Sequence, residues 1–320
     1  MLVTWDAIAL FTNIKHRQGL ASLKNALDKR ENPKVPTNYL VSLMEIILKH
    51  NIFEFHESLW KQEIGAAMGG RPIPGYANIF MSGFDEEIKK IAAKYSEHYS
   101  EALQLLKRFL DDYIALFVGS SKRLHQLLEE INLINPSIQL TMNHTSIINE
   151  APEEKCECKS VSSIPFLDTQ LSIKEGKIYI DLFKKETDRN QYLLPSSCHS
   201  KMTTKAIPYS LALRIQRICI DPTKIETIFM ELKNNLLDRK YPTTIIDSAI
   251  DRARKVPRAA ALRKVVKKDI YKGPIFVVTY DPRLPPLGSI QAKHWRSMAS
   301  RDTYLAEVFK RPPLIAFKRQ

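Results

Sequence analysis

Three aspartates stand where acidic side chains are difficult to explain by folding alone. Asp111 and Asp112 are adjacent in RFLDDYIALFVG (108–119), between apolar runs, and Asp6 interrupts the apolar segment LVTWDAIALF (2–11). One reading of the pair is a plain turn, because Asp bonds the local backbone and tolerates left-handed conformations. Three carboxylates converging on an apolar sheet would otherwise repel one another and raise their own pKa values, so a bound cation explains them better.

A carboxylate cluster of this kind suits nucleotidyl transfer. Mg²⁺ prefers oxygen ligands, retains part of its water shell and borrows phosphate oxygens from the substrate. Two such ions, about 4 Å apart, can activate an attacking 3′-hydroxyl and neutralise a triphosphate leaving group. We therefore expect Asp6, Asp111 and Asp112 to be catalytic and to bind two Mg²⁺ ions, with Mn²⁺ as the substitute.

The elements around these aspartates predict an α+β domain. Residues 2–11 read as a buried strand, and 104–119 as two strands joined by a tight turn. Strands and helices intermix without a regular βαβ repeat, which favours the α+β class. The other predicted elements of this region are helices over 17–29, 37–49, 76–95 and 120–134, hairpins over 51–62 and 164–185, and a strand over 138–144.

Positive charge is concentrated in the second half of the chain. The formal net charge is +13 and the pI about 9.4, which favours a polyanionic partner such as nucleic acid. Residues 201–272 carry 17 basic and 7 acidic residues, which accounts for most of that excess. Helices predicted over 204–219, 222–238 and 243–255 could hold a phosphate backbone as a helix-turn-helix or a clamp. Ordinary solvated helix faces are the alternative.

Cysteine content and hydropathy exclude several protein classes. Four cysteines are too few for a disulfide scaffold and favour an intracellular, reduced protein. A zinc site of Cys156, Cys158, Cys198 and His199 is disfavoured because one residue between the first two cysteines is tighter than zinc sites use. No apolar run approaches the roughly 20 residues that cross a bilayer, so we expect no membrane partner.

A series of short motifs runs in one order along nearly the whole chain. The early ones are VTWDAIALFTNI (3–14), the glycine-rich QEIGAAMGGRPIPGYANIFM (62–81), and RFLDDYI (108–114), in which Phe109 stands where a tyrosine-x-aspartate-aspartate motif has tyrosine. The later ones are FLDTQLSI (166–173), LFKKETDRNQYL (182–193), IPYSLALRIQRIC (207–219), RKYP (239–242), PIFVVTYDP (274–282) and PPLIAFKR (312–319). This ordered set resembles the reverse transcriptase of Penelope-like retroelements, and the order makes the resemblance specific.

The resemblance implies a domain organisation and a function. Residues 1–194 would form a reverse-transcriptase-like palm with an antiparallel sheet and helices. Residues 195–272 would form a basic, thumb-like or helix-turn-helix-like region, and 273–320 a C-terminal polymerase tail. The implied activity is that of an RNA-directed DNA polymerase of a transposable element. Its partners would be an RNA template, a DNA primer and deoxynucleoside triphosphates, with nuclear placement.

The resemblance also assigns roles around the aspartates. Asp6 would bind both ions, assisted by the Ala7 carbonyl, Asp111 would complete the site, and Asp112 would be less strictly required. Phe11 stands where a bulky residue packs beneath the incoming sugar and selects deoxynucleotides, although plain core packing is the alternative.

Further residues are expected at the nucleotide and the nucleic acid. Gln62 and Gly65 match the loop that positions template and nucleotide, where small residues allow close backbone approach. Basic residues expected to bind nucleic acid, with a solvated surface role as the alternative, are Arg71, Lys184, Lys185, Arg214, Arg217, Arg252, Arg254 and Lys255.

The sequence also departs from that family. It starts five residues before Asp6, so we expect a truncated copy without the fingers segment and without a GIY-YIG endonuclease. Lys15 replaces a usual proline, and the glycine-rich loop lacks the usual threonines. These departures predict a weak or inactive polymerase. The alternative function is a non-catalytic nucleic-acid-binding remnant that acts through its helix-turn-helix-like region.

Overall fold

The computed structural model describes residues 1–96, 102–145, 161–263, 274–302, 304, 307 and 311–318. The chain divides into two compact units, Met1–Phe183 and Lys184–Gln320. The divisions predicted at residues 194 and 272 stay predictions. Cys156 and Cys158 lie outside the described residues, as does most of the basic run 263–268.

The first unit mixes strands and helices, as expected for an α+β domain. Its described elements are β1 (Leu2–Ala7), α1 (Leu10–Asn13), α2 (His16–Asp28), α3 (Thr37–Lys49), β2 (Ile52–Phe55), β3 (Ser58–Lys61), α4 (Ile73–Ala93), β4 (Leu103–Phe109), β5 (Asp112–Phe117), α5 (Ser121–Asn132), β6 (Leu140–His144), β7 (Ser163–Phe166), β8 (Thr169–Lys174) and β9 (Lys177–Leu182).

An antiparallel sheet in the order β4-β5-β1-β6 forms the centre of this unit. Because side chains alternate along a strand, β1 contributes to two cores. Trp5 and its neighbours on one face join the large apolar cluster with the helices. On the other face, Leu2 packs against Ile164 and Leu171 of the antiparallel β7-β8-β9 sheet. Asp6 lies on the same face as Leu2 but is exposed.

Helix α4 supports the sheet through a long apolar stripe. Tyr76, Phe80, Phe84 and Ile88 recur every four residues and are all buried, as an amphipathic helix requires. Burying each of these large side chains stabilises the fold by about 1.5–3 kcal/mol. The helix therefore presents a fixed platform beneath the central strands.

Most predicted elements of this unit are confirmed, and two boundaries differ. The strand predicted over 2–11 ends at Ala7, because Ala9 takes a left-handed conformation (φ 48°) and begins α1. The segment 164–185, predicted as one hairpin, folds as β7, β8 and β9. The missed turn contains Leu167 with φ 54°, a conformation that leucine rarely adopts.

The second unit is mainly helical. Its described elements are α6 (Lys201–Ile218), α7 (Pro222–Asp238), α8 (Thr243–Arg254), α9 (Arg258–Leu262), β10 (Ile275–Thr279), α10 (Leu287–Arg301) and β11 (Leu314–Lys318). The three predicted basic helices are confirmed as α6, α7 and α8. Asp221 caps α7 by accepting a 3.0 Å hydrogen bond from the Thr223 amide.

The helices of this unit share a buried apolar core, which includes Ala212 and Ile215 of α6, Phe229 of α7 and Ile246 of α8. Cys219 is buried at the end of α6, and Cys198 is exposed. In the described part of the chain, no helix has the length and apolar character needed to span a bilayer.

Candidate active site

The central sheet brings the aspartates predicted to be catalytic to one end of two neighbouring strands. In the register of β1 with β5, Asp6 lies directly opposite Asp112, so both side chains project from the same face. Asp111 sits in the tight turn between β4 and β5, and its carbonyl accepts a 3.1 Å hydrogen bond from the Ala7 amide. This bond joins the turn to the end of β1. Residues more than a hundred positions apart thereby meet at one place.

The turn itself is formed differently from the expectation. Aspartate tolerates left-handed conformations and could have supplied one here. The residue with positive φ in this turn is instead Leu110 (57°). A left-handed conformation costs a residue with a side chain about 1–2 kcal/mol. Surrounding contacts must therefore hold the turn in place.

The charges of the site interact. The pKa of Asp6 is raised, first by its partial burial and second by the nearby charge of Asp111. Both causes disfavour the ionised carboxylate. A divalent cation between the two side chains would reverse the effect, because its charge dominates the local field. The repulsion between Asp6 and Asp111 is of the kind that a bound cation would relieve.

The carboxylates do not form a complete metal cage by themselves. Among the described residues, no group of three or more His, Cys, Asp or Glu side chains is gathered closely enough to hold a metal ion. The donor set nevertheless fits Mg²⁺, which completes its shell with waters and substrate phosphates rather than with protein ligands alone. Asp6 and Asp111 are the interacting pair, and Asp112 is half-buried opposite Asp6. The metal roles of all three, and that of the Ala7 carbonyl, stay predictions.

A buried ionic network lies against the turn, and the sequence did not reveal it. Arg108 donates from Nε to Asp85 Oδ1 (2.9 Å) and from Nη2 to Asp85 Oδ2 (2.9 Å). Its Nη1 donates to the Leu110 carbonyl (2.9 Å), and the Tyr113 hydroxyl donates to Asp85 Oδ1 (2.7 Å). Burial, and then the charge of Asp85, raise the pKa of Tyr113, so its hydroxyl stays protonated. The available signal was that Arg108 and Tyr113 flank the aspartates in RFLDDY.

The glycine-rich loop packs against the chain's own backbone. Gly65 is buried with φ +80°, and a Cβ there would lie 2.6 Å from the Thr12 Cα and 2.8 Å from the Phe11 carbonyl oxygen. The Ala66 amide donates to that same carbonyl (2.7 Å), and His16 Nε2 contacts the Gly65 carbonyl at 2.7 Å. The sequence predicts that the Gly65 backbone approaches a base pair, and the neighbours that the structure shows are Thr12 and Phe11 of the same chain. Its role toward a base pair stays a prediction.

Phe11 and Gln62 occupy intermediate positions. The Phe11 side chain is half-buried against the main apolar cluster, so part of it faces outward. Gln62 accepts a 2.7 Å hydrogen bond from the Asn51 side chain and donates to the Ile64 carbonyl at 2.8 Å. These bonds fix the base of the β2-β3 hairpin. Contacts of Phe11 and Gln62 with a nucleotide stay predictions.

The basic residues predicted to contact nucleic acid fall into two groups. Arg71, Lys184 and Lys185 are exposed outside helices. The other five lie on or directly after helices of the second unit and are also exposed: Arg214, Arg217, Arg252, Arg254 and Lys255.

Several of these helical arginines already have protein partners. Arg254 forms a two-point ion pair with Glu226 (2.9 and 2.8 Å) and another with Asp251 (2.7 Å). The Arg217 Nε donates to the Ala261 carbonyl (3.0 Å), and the Arg252 guanidinium lies 4.3 Å from the centre of the Tyr209 ring. Asp251 lies three residues before Arg254 on the same helix, but the other partners belong to different elements and have no sequence signal. They tie the helices together, and the nucleic-acid contacts stay predictions.

Part of the helical unit matches a known family. The family profile described as "Animal helix-turn-helix domain" matches residues 191–251, which include α6, α7 and most of α8. Over these residues the second unit is similar to a helix-turn-helix domain. No curated protein matches the chain significantly.

Solved structures resemble the chain at low identity. A telomerase from Candida albicans, in complex with a TWJ fragment of telomeric RNA, matches with a TM-score of 0.51 and 10% identity, over 78% of this chain and 40% of that one. Apo telomerase from Candida tropicalis matches with a TM-score of 0.43 and 13% identity, over 79% and 42%. The chain spans less than half the length of either structure. The likeness to the first supports a reverse-transcriptase-like fold and concerns the fold alone.

Proposed function

We propose that the chain carries the palm of an RNA-directed DNA polymerase of the Penelope-like type, with Asp6, Asp111 and Asp112 as its catalytic carboxylates. The observation that supports this most is the register that sets Asp6 opposite Asp112 while Ala7 bonds the Asp111 carbonyl. Like charges directly opposite each other on paired strands destabilise a sheet, and a metal-binding role would account for that cost.

The carboxylates would hold two Mg²⁺ ions during nucleotidyl transfer. When bound, such ions activate a 3′-hydroxyl and neutralise the leaving pyrophosphate. Asp6 and Asp111 supply oxygens from two different segments, and their mutual repulsion favours a cation between them. The β1 backbone keeps Asp6 in place, and the bond from Ala7 keeps the Asp111 turn against it.

Phe11 would select deoxynucleotides by crowding a 2′-hydroxyl. Its backbone is fixed to the glycine-rich loop through Ala66, and its ring is half-buried. We expect Phe11→Val to reduce discrimination against ribonucleotides in primer extension. Unchanged discrimination, with extension retained, would leave Phe11 a core residue only.

The template and primer would be held by basic side chains of the helical unit. Arg214 and Lys255 are exposed on or beside its helices. Arg254 is expected to contribute less, because Glu226 and Asp251 already neutralise it. Phosphate contacts release counterions, so affinity should fall steeply as salt rises.

Primer extension on an RNA template tests the proposal. The full chain, Asp111→Asn and the matched charge control Glu31→Gln, an exposed acid in a loop of the first unit, are compared with Mg²⁺ and deoxynucleotides. We expect weak extension by the unchanged chain and the control, because the departures from the family predict a poor polymerase. Loss of one carboxylate should reduce it by about a hundredfold or more, as removal of a transition-state charge stabiliser does.

The second candidate function is nucleic-acid binding without catalysis. The helix-turn-helix match over residues 191–251 favours it. Salt-dependent binding of duplex or RNA by the full chain, without extension and without any effect of Asp111→Asn, would support this function over the polymerase.

A further inference from the structure

The network of Asp85, Arg108 and Tyr113 is unlike a surface ion pair. The side chain of Arg108 is 9% exposed and that of Asp85 is 23% exposed, and Tyr113 is fully buried. Losing one partner would leave the other charge buried and uncompensated.

The geometry that it fixes is the turn carrying Asp111. Arg108 and Tyr113 oppose each other across β4 and β5 just below the turn. The guanidinium spans from Asp85 on α4 to the Leu110 carbonyl, and Nη1 also donates to the Asn78 side chain (2.9 Å). Leu110 has the strained positive φ of the turn. Through Arg108, α4 therefore holds the peptide between Leu110 and Asp111, and the conformation of this peptide helps to set the direction of the Asp111 side chain.

The charge of Arg108 is taken up inside this network. Asp85 neutralises Arg108 through both carboxylate oxygens. Arg108 thus acts on the site through backbone placement rather than through its charge.

We propose that Asp85 and Arg108 are positioning residues that clamp the Asp111 turn to α4 and hold Asp111 within reach of Asp6. This inference rests on the proposed function only for the consequence of the clamp, which is metal binding. The clamp itself is a property of the metal-free protein. Tyr113 assists by donating to Asp85.

Two variants separate the ion pair from the turn contact. Asp85→Asn removes the charge partner, whereas Arg108→Lys keeps a cation but cannot reach Asp85 and the Leu110 carbonyl with a fixed fork. The matched control is Glu130→Gln, which breaks another carboxylate network beside α4, where Glu130 accepts from Tyr95 (2.7 Å) and Lys94 (2.9 Å). Tyr113→Phe is a milder variant that decides the question if the others fail to fold.

Amide exchange at Ala7, followed by NMR with ¹⁵N-alanine in metal-free protein, reports the bond to Asp111. Mn²⁺ binding, followed by electron paramagnetic resonance, reports the carboxylates. We expect Asp85→Asn and Arg108→Lys to speed Ala7 exchange about tenfold and to weaken Mn²⁺ binding about tenfold. Tyr113→Phe should shift both in the same direction by a smaller factor.

The control distinguishes positioning from plain stability. Glu130→Gln should lower the Tm while both readouts stay at the unchanged chain's values. If Asp85→Asn and Arg108→Lys also lower only the Tm, the positioning role is wrong. If Asp111→Asn binds Mn²⁺ as tightly as the unchanged chain, the proposed function fails, whereas Ala7 exchange still decides the clamp.

Discussion

Replacing Gly65 with alanine should damage the junction between the glycine-rich loop and the segment after β1. Two independent costs apply there. The backbone has φ +80°, and an added Cβ would lie 2.6 Å from both the Cα and the carbonyl oxygen of Thr12. These are backbone atoms, which cannot rotate away as the end of a flexible side chain does.

The chain contains glycines that separate the two costs. Gly69 has φ +98° but open space around an added Cβ, and Gly83, inside α4, has open space and no positive φ. A left-handed alanine costs about 1–2 kcal/mol, and overpacking costs about 1–3 kcal/mol. We expect Gly65→Ala to lose about 2–5 kcal/mol and Gly69→Ala about 1–2 kcal/mol. Gly83→Ala should gain about 0.5–1 kcal/mol, because alanine is the better helix former.

Urea unfolding followed by tryptophan fluorescence measures these differences. Trp5 is buried in β1 and reports the first unit when Trp60 and Trp295 are replaced by phenylalanine. That background should be used for all three variants. If Gly65→Ala is no more destabilising than Gly69→Ala, the contact with the Thr12 backbone carries no steric cost and this explanation of Gly65 is wrong.

Two further predictions concern buried polar groups. Gly19→Ala should lose about 1–3 kcal/mol in the same assay, because its Cβ would overlap the Tyr76 hydroxyl and overpack that site. Tyr76→Phe should be nearly neutral alone, since that buried hydroxyl has no hydrogen-bond partner among the described residues. Tyr76→Phe should also partly rescue Gly19→Ala, so strictly additive losses in the double variant would contradict the contact. The pKa of His125 is lowered by burial and then by His144, against an opposing effect of Glu129. The unfolded chain therefore binds the proton more tightly, and stability should fall as pH drops below about 6.5. His125→Gln should flatten that fall, and an unaltered pH profile would count against the shift.

Elements whose signals are local were predictable from the sequence. The helices predicted over 120–134 and 222–238 are α5 and α7, and Ser120 and Asp221, which are favourable capping residues, cap them in the structure. The hairpin around Asp111 followed from two apolar runs with polar residues between them. The sequence suggested that Asp6, in an apolar strand, converges with two acids at a hairpin turn, but the register of Asp6 with Asp112 depends on how β1 and β5 pair and could not be predicted.

The features that sequence missed depend on unusual conformations or distant partners. Leu110 and Leu167 both follow phenylalanine and precede aspartate, and both have positive φ in a hairpin turn. Nothing in the turn preferences of leucine indicates this. The ion pairs of Arg108 with Asp85 and of Arg254 with Glu226 join different elements and could not be seen in a linear pattern.

A crystal of the full chain soaked in Mn²⁺ and measured near the manganese absorption edge would show directly whether Asp6 and Asp111 share a metal ion. We predict an anomalous peak that contacts carboxylate oxygens of both Asp6 and Asp111, within about 2.0–2.3 Å as hard-cation sites require. Manganese bound only elsewhere, with those two side chains turned apart, would contradict the assignment of this end of the central sheet as a catalytic metal site.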